Sequence, residues 1–165
     1  MLPQEFKTKF IQNKVDKWLK DIDELAQIAK EEPQAALSAY NTGLSQRWTF
    51  VQRTMHGIDA LFEPLEQTIR NTPIPALCGR PVSDLERSLL ALPYRHGGLG
   101  IRNPVETASS AYEASVRITQ PLADLIVAQN MNLSDLDREG VRAIKTEVAT
   151  ASENAHIAKR EEIAD

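Results

Sequence analysis

Apolar residues recur at alternating spacings of four and three along the first thirty positions. They form an a/d heptad seam and predict one amphipathic helix. The seam residues are Ile11, Val15, Trp18, Ile22, Leu25 and Ala29. Because the seam is short, we expect it to pack onto the chain's own core rather than into a free coiled coil. The charged residues between the seam positions are expected to form a solvated shell.

Proline and glycine divide the next sixty residues into shorter predicted helices. These are residues 34–40 after Pro33, closed by Asn41 and Gly43, then 44–55 before Gly57, and 58–70. The last contains the stripe Leu61, Leu65 and Ile69, and Pro64 kinks it or starts its second half. The three prolines of 71–81 predict extended or turn structure. The capping-box sequence Ser83-Asp84-Leu85-Glu86 predicts a helix to about residue 92.

Residues 93–103 are the least helical segment, with Gly97, Gly98 and Gly100 close together. We expect a loop in which the glycines supply positive φ angles or close backbone approach. Leu99 and Ile101 would then pack into the core. Asn103-Pro104 predicts an N-cap and first helical position. The helix that follows is expected to reach about residue 118, with Pro121 starting another that ends near residue 130.

From residue 134 the pattern predicts one long helix. Its seam is Val141, Ile144, Val148, Ala151, Ala155 and Ala158. Because alanines bury little area, we expect the end of this helix to be marginal. The whole pattern predicts an all-α fold, an irregular multi-helix bundle with long N- and C-terminal helices and a Gly-rich loop near 93–103. We assign residues 1–130 to a helical domain and 131–165 to a C-terminal helix that can extend from it.

The net charge of −4 and the pI near 5.5 exclude a strongly basic nucleic-acid-binding domain, so such contact must come from a local patch. No stretch approaches the ~20 apolar residues of a membrane span. Residues 1–10 lack the apolar segment of a signal peptide. Cys78 is the only cysteine and cannot form an internal disulfide. We therefore expect an intracellular protein, cytoplasmic or nuclear, without a membrane partner.

Lysine and arginine are unevenly distributed. All eight lysines lie at or before Lys30 or at or after Lys145, and the ten basic residues between them are arginines. Arginine pairs bidentately with carboxylate or phosphate and tolerates partial burial. Two interpretations stay open at this point. The arginines pair with internal carboxylates, or some of them contact phosphates. The carboxylates expected as partners are Asp59, Glu63, Glu66, Asp84, Glu86 and Glu113.

The sequence contains no complete catalytic centre. His56, His96 and His156 are widely separated and none has ligand spacing to a cysteine, so no metal site is predicted. Cys78 lacks a nucleophile signature and is expected to be a small packed residue. The Gly-rich loop lacks the Lys-Ser/Thr pair of a Walker loop, and no Asp-Asp pair is present to hold polymerase metal ions. We expect no catalytic residue, no cofactor and no enzymatic activity from this chain alone.

Short motifs follow one another in a characteristic order from about Val15 onward. They include Glu24-Leu25-Ala26, Pro33-Gln34-Ala35-Ala36, Gly43-Leu44, Arg47-Trp48-Thr49-Phe50, Arg53-Thr54, Pro64-Leu65-Glu66, Ile74-Pro75-Ala76-Leu77, Glu86-Arg87, Leu92-Pro93, Gly97-Gly98-Leu99-Gly100-Ile101, Asn103-Pro104, Ser115-Val116 and Pro121-Leu122. This ordered set resembles the region after the palm in reverse transcriptases of invertebrate retrotransposons, chiefly the non-LTR type. The likeness covers nearly the whole chain.

The resemblance implies a helical thumb and the connection beyond it, which hold a template–primer duplex by its backbone. Catalytic palm and fingers would be upstream partners in the intact protein, with Met1 an internal start, a gene-model boundary or the edge of a truncated copy. The expected ligand is an RNA–DNA or DNA duplex, bound weakly through phosphates. The candidate binding residues are Arg47, Arg53, Arg95, His96, Gly97, Gly98, Gly100 and Arg102.

Two alternatives to duplex binding remain. In the first, the chain is a helical interaction module whose terminal seams pair with each other or with another chain, including a second copy. In the second, it is a non-functional relic of a mobile element that still folds.

Overall fold

The computed structural model describes residues 4–129 and 134–164, which form helices, turns and loops without a β-strand. The helices are α1 (Gln4–Glu31), α2 (Pro33–Ala39), α3 (Ser45–Thr54), α4 (Glu63–Asn71), α5 (Pro73–Cys78), α6 (Asp84–Ala91), α7 (Pro104–Val127) and α8 (Asp135–Ala164). A π-helical turn (Tyr40–Leu44) joins α2 to α3, and 3-10 turns occupy Asp59–Phe62 and Tyr94–His96. The predicted all-α class is confirmed.

The seam of α1 faces the core. Five of its six residues are buried and Leu25 is partly buried, as expected for a helix packed on its own domain. Trp18 contacts Trp48 of α3 edge to face, with 5.9 Å between ring centroids. Trp18 also stacks on Phe62, with 6.5 Å between ring centroids. Large buried aromatic side chains contribute much of the free energy of core packing. Helix α1 is therefore packed on the core of the domain and is not a free helix.

Local capping signals are confirmed at two helix starts. The Ser83 hydroxyl accepts the backbone N–H of Glu86, and the Glu86 carboxylate accepts the N–H of Ser83. The side-chain oxygen of Asn103 accepts the N–H groups of Val105 and Glu106 at the start of α7. These bonds satisfy N–H groups that have no partner inside the helix, which is why the pattern could be recognised from sequence.

Two proline-based predictions are wrong. Residues 73–78 are helical rather than extended, because Pro73 and Pro75 occupy the first turn, where a missing N–H costs nothing. Pro121 lies inside α7, which continues to Val127 instead of ending near residue 118. Since α8 packs along α7, tertiary contacts outweigh the one backbone hydrogen bond that Pro121 removes. Pro64, by contrast, starts α4 as expected.

Asn41 and Gly43 do not close a helix, contrary to the prediction, because the backbone continues through the π-helical turn. The carbonyl of Asn41 accepts bonds from the Ser45 hydroxyl and the Gln46 amide. Such single-turn π segments interrupt helices without ending them.

The core stripe of residues 58–70 also differs from the prediction. Phe62 is fully buried whereas Leu61 is only partly buried. The 3-10 turn before α4 has three residues per turn, and this changes which side chain faces inward.

Helix α8 folds back along α7 in the antiparallel direction. Arg117 donates to Glu147 at 2.8 Å, and Lys159 donates to Glu106 at 3.1 Å, so later residues of α8 meet earlier residues of α7. It also contacts α6 and the Tyr94–His96 turn. The division at residue 130 stays a prediction, but the described part of the C-terminal helix is docked on the rest of the chain.

The predicted seam of α8 is correct only in its first half. Val141, Ile144 and Val148 are partly buried, whereas the three alanines that follow are exposed. The residues turned toward the body are instead Glu153, His156, Lys159 and Ile163. This half of α8 meets a different surface, since Glu153 contacts His96 of the Tyr94–His96 turn and Lys159 contacts Glu106 at the start of α7, so a different face of the helix points inward.

Candidate functional site

Backbone hydrogen bonds fix the Gly-rich loop against α6. The Leu90 carbonyl accepts the N–H groups of both Leu99 and Ile101 at 3.2 and 3.1 Å. The Asn41 side chain donates to the Leu99 carbonyl at 2.8 Å and to the Tyr94 hydroxyl at 3.0 Å. Ile101 is buried and Leu99 packs against the core, as predicted. The loop is therefore a rigid part of the fold.

The glycines have the two roles that the sequence predicted. Gly97 and Gly100 have φ angles of 86° and 70°, where a side chain is strained. Gly98 instead allows close approach, since a Cβ there would lie 2.0 Å from the Leu92 carbonyl oxygen and 2.5 Å from that of Leu89. All three glycines serve the loop's backbone geometry.

The side chains of this loop are largely engaged. Arg95 forms an ion pair with Glu153, and the His96 Nε2 atom lies 2.9 Å from a Glu153 oxygen. Arg102 is exposed and pairs with no carboxylate in the described residues. A phosphate that approached Arg95 or His96 would have to displace Glu153, so Arg102 is the loop cation most available to a ligand.

The two candidate arginines on α3 differ from each other. Arg47 forms an ion pair with Asp21 of α1 and keeps 58% of its side chain exposed. Arg53 is exposed, without a carboxylate partner in the part of the chain that the structure covers. Arg47 lines an open groove between α1 and α3, described below. No residue of the Gly-rich loop lines this groove. The eight candidate residues therefore do not form one site.

This α1–α3 groove is an open depression of about 590 Å³. Its lining residues are Phe10, Lys14, Lys17, Trp18, Lys20, Asp21, Glu24, Arg47, Phe50 and Val51. Four cations face two carboxylates, so the groove is basic in a chain that is acidic overall. Phe50 is 69% exposed, and the Lys14 ammonium lies 5.6 Å from the Phe10 ring centroid. A local excess of cations is the electrostatic character of a surface that contacts phosphates.

Sequence reasoning placed the lysines of this groove in a solvated shell. The available signal was the spacing of Lys14, Lys17 and Lys20, since residues three apart are neighbours on a helix surface. That they face Arg47 and Phe50 depends on how α3 packs against α1. The sequence contains no local sign of that packing.

Most central arginines pair with carboxylates. The pairs are Arg47 with Asp21, Arg70 with Asp84, Arg80 with Glu86, Arg87 with Glu66, Arg95 with Glu153 and Arg117 with Glu147. Internal pairing, one of the two interpretations left open by the sequence, is thus observed among the described residues at six or more of the ten positions. Of the six predicted carboxylates, Glu66, Asp84 and Glu86 are among these partners. Asp59, Glu63 and Glu113 are in none of the six pairs.

Two histidines far apart in sequence meet in space, which corrects the sequence interpretation. The ligand atoms of His96, Glu153 and His156 all lie within 4.8 Å of one another. The imidazole centroids of the two histidines are 5.9 Å apart. Nδ1 of His156 is buried and has no hydrogen-bond partner among the described groups. Burial lowers the pKa of His156, and the charges of Arg102 and His96 lower it further.

Cys78 is exposed at the end of α5, so the expectation of a packed cysteine is wrong. Gly79 follows it with a φ of 72°, which ends the helix and turns the chain at the surface.

No protein-family model, curated protein or solved structure matches this chain. Within the two described segments, no helix combines the length and the apolar character needed to cross a lipid bilayer.

Proposed function

We propose that this chain is a helical accessory module of a retroelement reverse transcriptase, which holds a template–primer duplex by its phosphates. Two observations support the proposal. The first is the basic α1–α3 groove. The second is the ordered set of motifs from Glu24-Leu25-Ala26 to Pro121-Leu122. Since no paired aspartates are present, we expect no nucleotide incorporation by the chain alone.

The groove suits a polyanion better than a small ligand. It is open, and its cations Lys14, Lys17, Lys20 and Arg47 lie on two helices. Lysine and arginine contacts to phosphates position a duplex without reading its sequence. Asp21 partly neutralises Arg47, so the expected binding is weak and sensitive to salt.

The test is fluorescence anisotropy with a labelled RNA–DNA duplex between about 50 and 200 mM salt. Neutralising four phosphates gives an expected slope of log affinity against log salt of about −3 to −4. The variant Lys14→Ala/Lys17→Ala/Lys20→Ala should weaken binding and flatten the slope by about 3, because three counterion-releasing contacts are lost.

A matched control removes three lysines outside the groove: Lys9→Ala/Lys30→Ala/Lys145→Ala. All three residues are exposed, and the change in net charge is identical. Equal losses in both triple variants would mean that net charge rather than the groove decides binding, and the proposal would fail. Absence of any salt-dependent duplex binding by the unmodified chain would also overturn it.

The Gly-rich loop is a second candidate contact within the same function. Replacing Arg95 and Arg102 together with Ala tests it, with Arg102→Ala alone as the informative comparison. Because Arg95 is paired with Glu153, we expect most of the loop's effect to come from Arg102. If the double variant loses binding and the lysine variant does not, the duplex contacts the loop rather than the groove.

The interaction-module alternative now depends on the C-terminal half. The seam of α1 is buried inside the chain and unavailable to a partner. Ile126 and Val127, at the end of α7, are 66% and 82% exposed. Light scattering over a range of concentrations tests self-association. An interaction module that pairs with a second copy should give a mass that rises with concentration, and a strict monomer would remove this alternative.

A further inference from the structure

His96, Glu153 and His156 form a cluster that the proposed function does not use. His96 lies at the end of the Tyr94–His96 turn with only 8% of its side chain exposed. Glu153 and His156 are three residues apart on α8, a spacing that puts both side chains on one face of the helix. The turn and the helix thus bring two imidazoles and a carboxylate together.

We propose that His96, Glu153 and His156 bind one divalent transition-metal ion, with zinc as the best match. Two imidazole nitrogens and one carboxylate oxygen are a recognised zinc ligand set, and three protein ligands leave one position for water. Imidazole ligands disfavour Mg²⁺ and Ca²⁺, which prefer oxygen.

The distances are close to those that a tetrahedral ion needs. Zinc bonds of about 2.0–2.1 Å place neighbouring ligand atoms about 3.3 Å apart. His96 Nε2 and Glu153 Oε1 are already 2.9 Å apart, and no pair in the cluster exceeds 4.8 Å. Bringing the widest pair from at most 4.8 Å to that spacing requires a contraction of about 1.5 Å or less. The ion would also displace the hydrogen bond that Arg95 Nε donates to His96 Nε2 at 3.3 Å.

The hydrogen bonding of His156 and of Glu153 fits this assignment. Nδ1 of His156 is buried without a hydrogen-bond partner in the described chain, and a buried polar atom without a partner is costly. Glu153 binds Arg95 through Oε2, which leaves Oε1 toward His96. An outer partner of this kind orients a ligating carboxylate.

The charges near the cluster determine how tightly we expect it to bind zinc. Arg95 and Arg102 place positive charge beside the cluster, and this disfavours a cation. We therefore expect dissociation constants in the micromolar range. The ion would join α8 to the Gly-rich loop across the 57 residues that separate His96 from Glu153, and so hold the C-terminal helix in place.

The test uses the full chain, purified without a histidine tag and treated with a chelator. Calorimetric titration with Zn²⁺ should give one site per chain, Co²⁺ should give the visible absorption of a low-coordinate ion, and Mg²⁺ should not bind. His156→Ala and Glu153→Gln should each lower zinc affinity at least about tenfold, the lower end of what even an outer partner contributes. Zinc should also raise the Tm of the unmodified chain.

The control is His56→Ala. His56 is exposed and packs against Tyr112 outside the cluster, with 5.1 Å between ring centroids. If the His156→Ala variant fails to fold, the zinc affinity of the Glu153→Gln variant tests the proposal, because glutamine has the same side-chain shape as glutamate. Binding only above about 1 mM, or equal losses in the His56 and cluster variants, would overturn the proposal. Duplex binding by the α1–α3 groove does not depend on this result, since no groove residue is changed.

Discussion

Arg87 of α6 and Glu66 of α4 form a buried, two-fold ion pair. The Arg87 guanidinium donates to both Glu66 oxygens at 2.7 and 2.6 Å, and it also donates to the Ile101 carbonyl at 2.7 Å. Both side chains are less than 10% exposed. One residue thus connects α6, α4 and the end of the Gly-rich loop, and three of its five N–H donors form hydrogen bonds to these partners.

Breaking this pair from one side should be severe. Arg87→Ala leaves the Glu66 carboxylate buried without a partner and should lower the free energy of unfolding by about 3 to 5 kcal/mol in urea denaturation. The double variant Glu66→Leu/Arg87→Met removes both charges and should lose less than either single variant. It still leaves the Ile101 carbonyl unpaired, at a cost of about 1–3 kcal/mol.

Arg117→Ala is the control for that experiment, because its pair with Glu147 is half exposed on both sides and screened by water. The urea midpoint should change little. A loss at Arg87→Ala as small as that at Arg117→Ala would show that the buried pair does not stabilise the fold.

Two glycine-to-alanine substitutions should have opposite effects. In Gly98→Ala the new Cβ overlaps the Leu92 carbonyl oxygen, and the expected loss is about 3 kcal/mol or more. In Gly140→Ala the Cβ meets open space within α8, so stability should rise by about 0.5–1 kcal/mol. Thermal unfolding followed by circular dichroism measures both. Equal effects of the two substitutions would contradict the close packing at Gly98.

Tyr40→Phe should stabilise the chain. The Tyr40 hydroxyl is buried without a hydrogen-bond partner in the described residues, and burial raises the pKa of its phenol. Removing the hydroxyl should raise the free energy of unfolding by about 1 kcal/mol. Tyr94→Phe is the opposite case, since the exposed Tyr94 hydroxyl accepts a bond from Asn41, and it should be neutral or slightly destabilising. A destabilised Tyr40→Phe variant would show that the hydroxyl has a partner.

The pKa of Asp59 should depend on Ser109. The Ser109 hydroxyl donates to the Asp59 carboxylate at 2.5 Å and holds its pKa below the ordinary value. The folded state therefore favours the charged form, so this contribution to stability is present at neutral pH and is lost as the pH falls through the folded-state pKa. Ser109→Ala should raise the Asp59 pKa in an NMR titration.

Ser110→Ala is the matched control for the Asp59 titration. The Ser110 hydroxyl donates to the Thr107 carbonyl and not to a carboxylate. An Asp59 pKa that rises as much in this variant, or stays constant in Ser109→Ala, would show that the hydrogen bond is not the cause.

The ends of several helices could be predicted because their causes are local. A cap at Ser83 or Asn103 needs only N–H groups two or three residues away, and a glycine with positive φ needs only its own missing Cβ. The apolar seam of α1 could be predicted for the same reason. Its period specifies a helix with one buried face wherever that helix packs.

The sites depend on contacts between distant parts of the chain. Glu66 and Arg87 are 21 residues apart, and His96 and Glu153 are 57 apart. No spacing rule connects such residues, because their meeting depends on how whole helices pack. Which side chains line the α1–α3 groove, and which face of α8 points inward, also depend on how whole helices pack. The sequence alone therefore determined an all-helical chain with its caps and its α1 seam. Only the tertiary structure decided which charges are buried, which are paired and which remain available to a ligand.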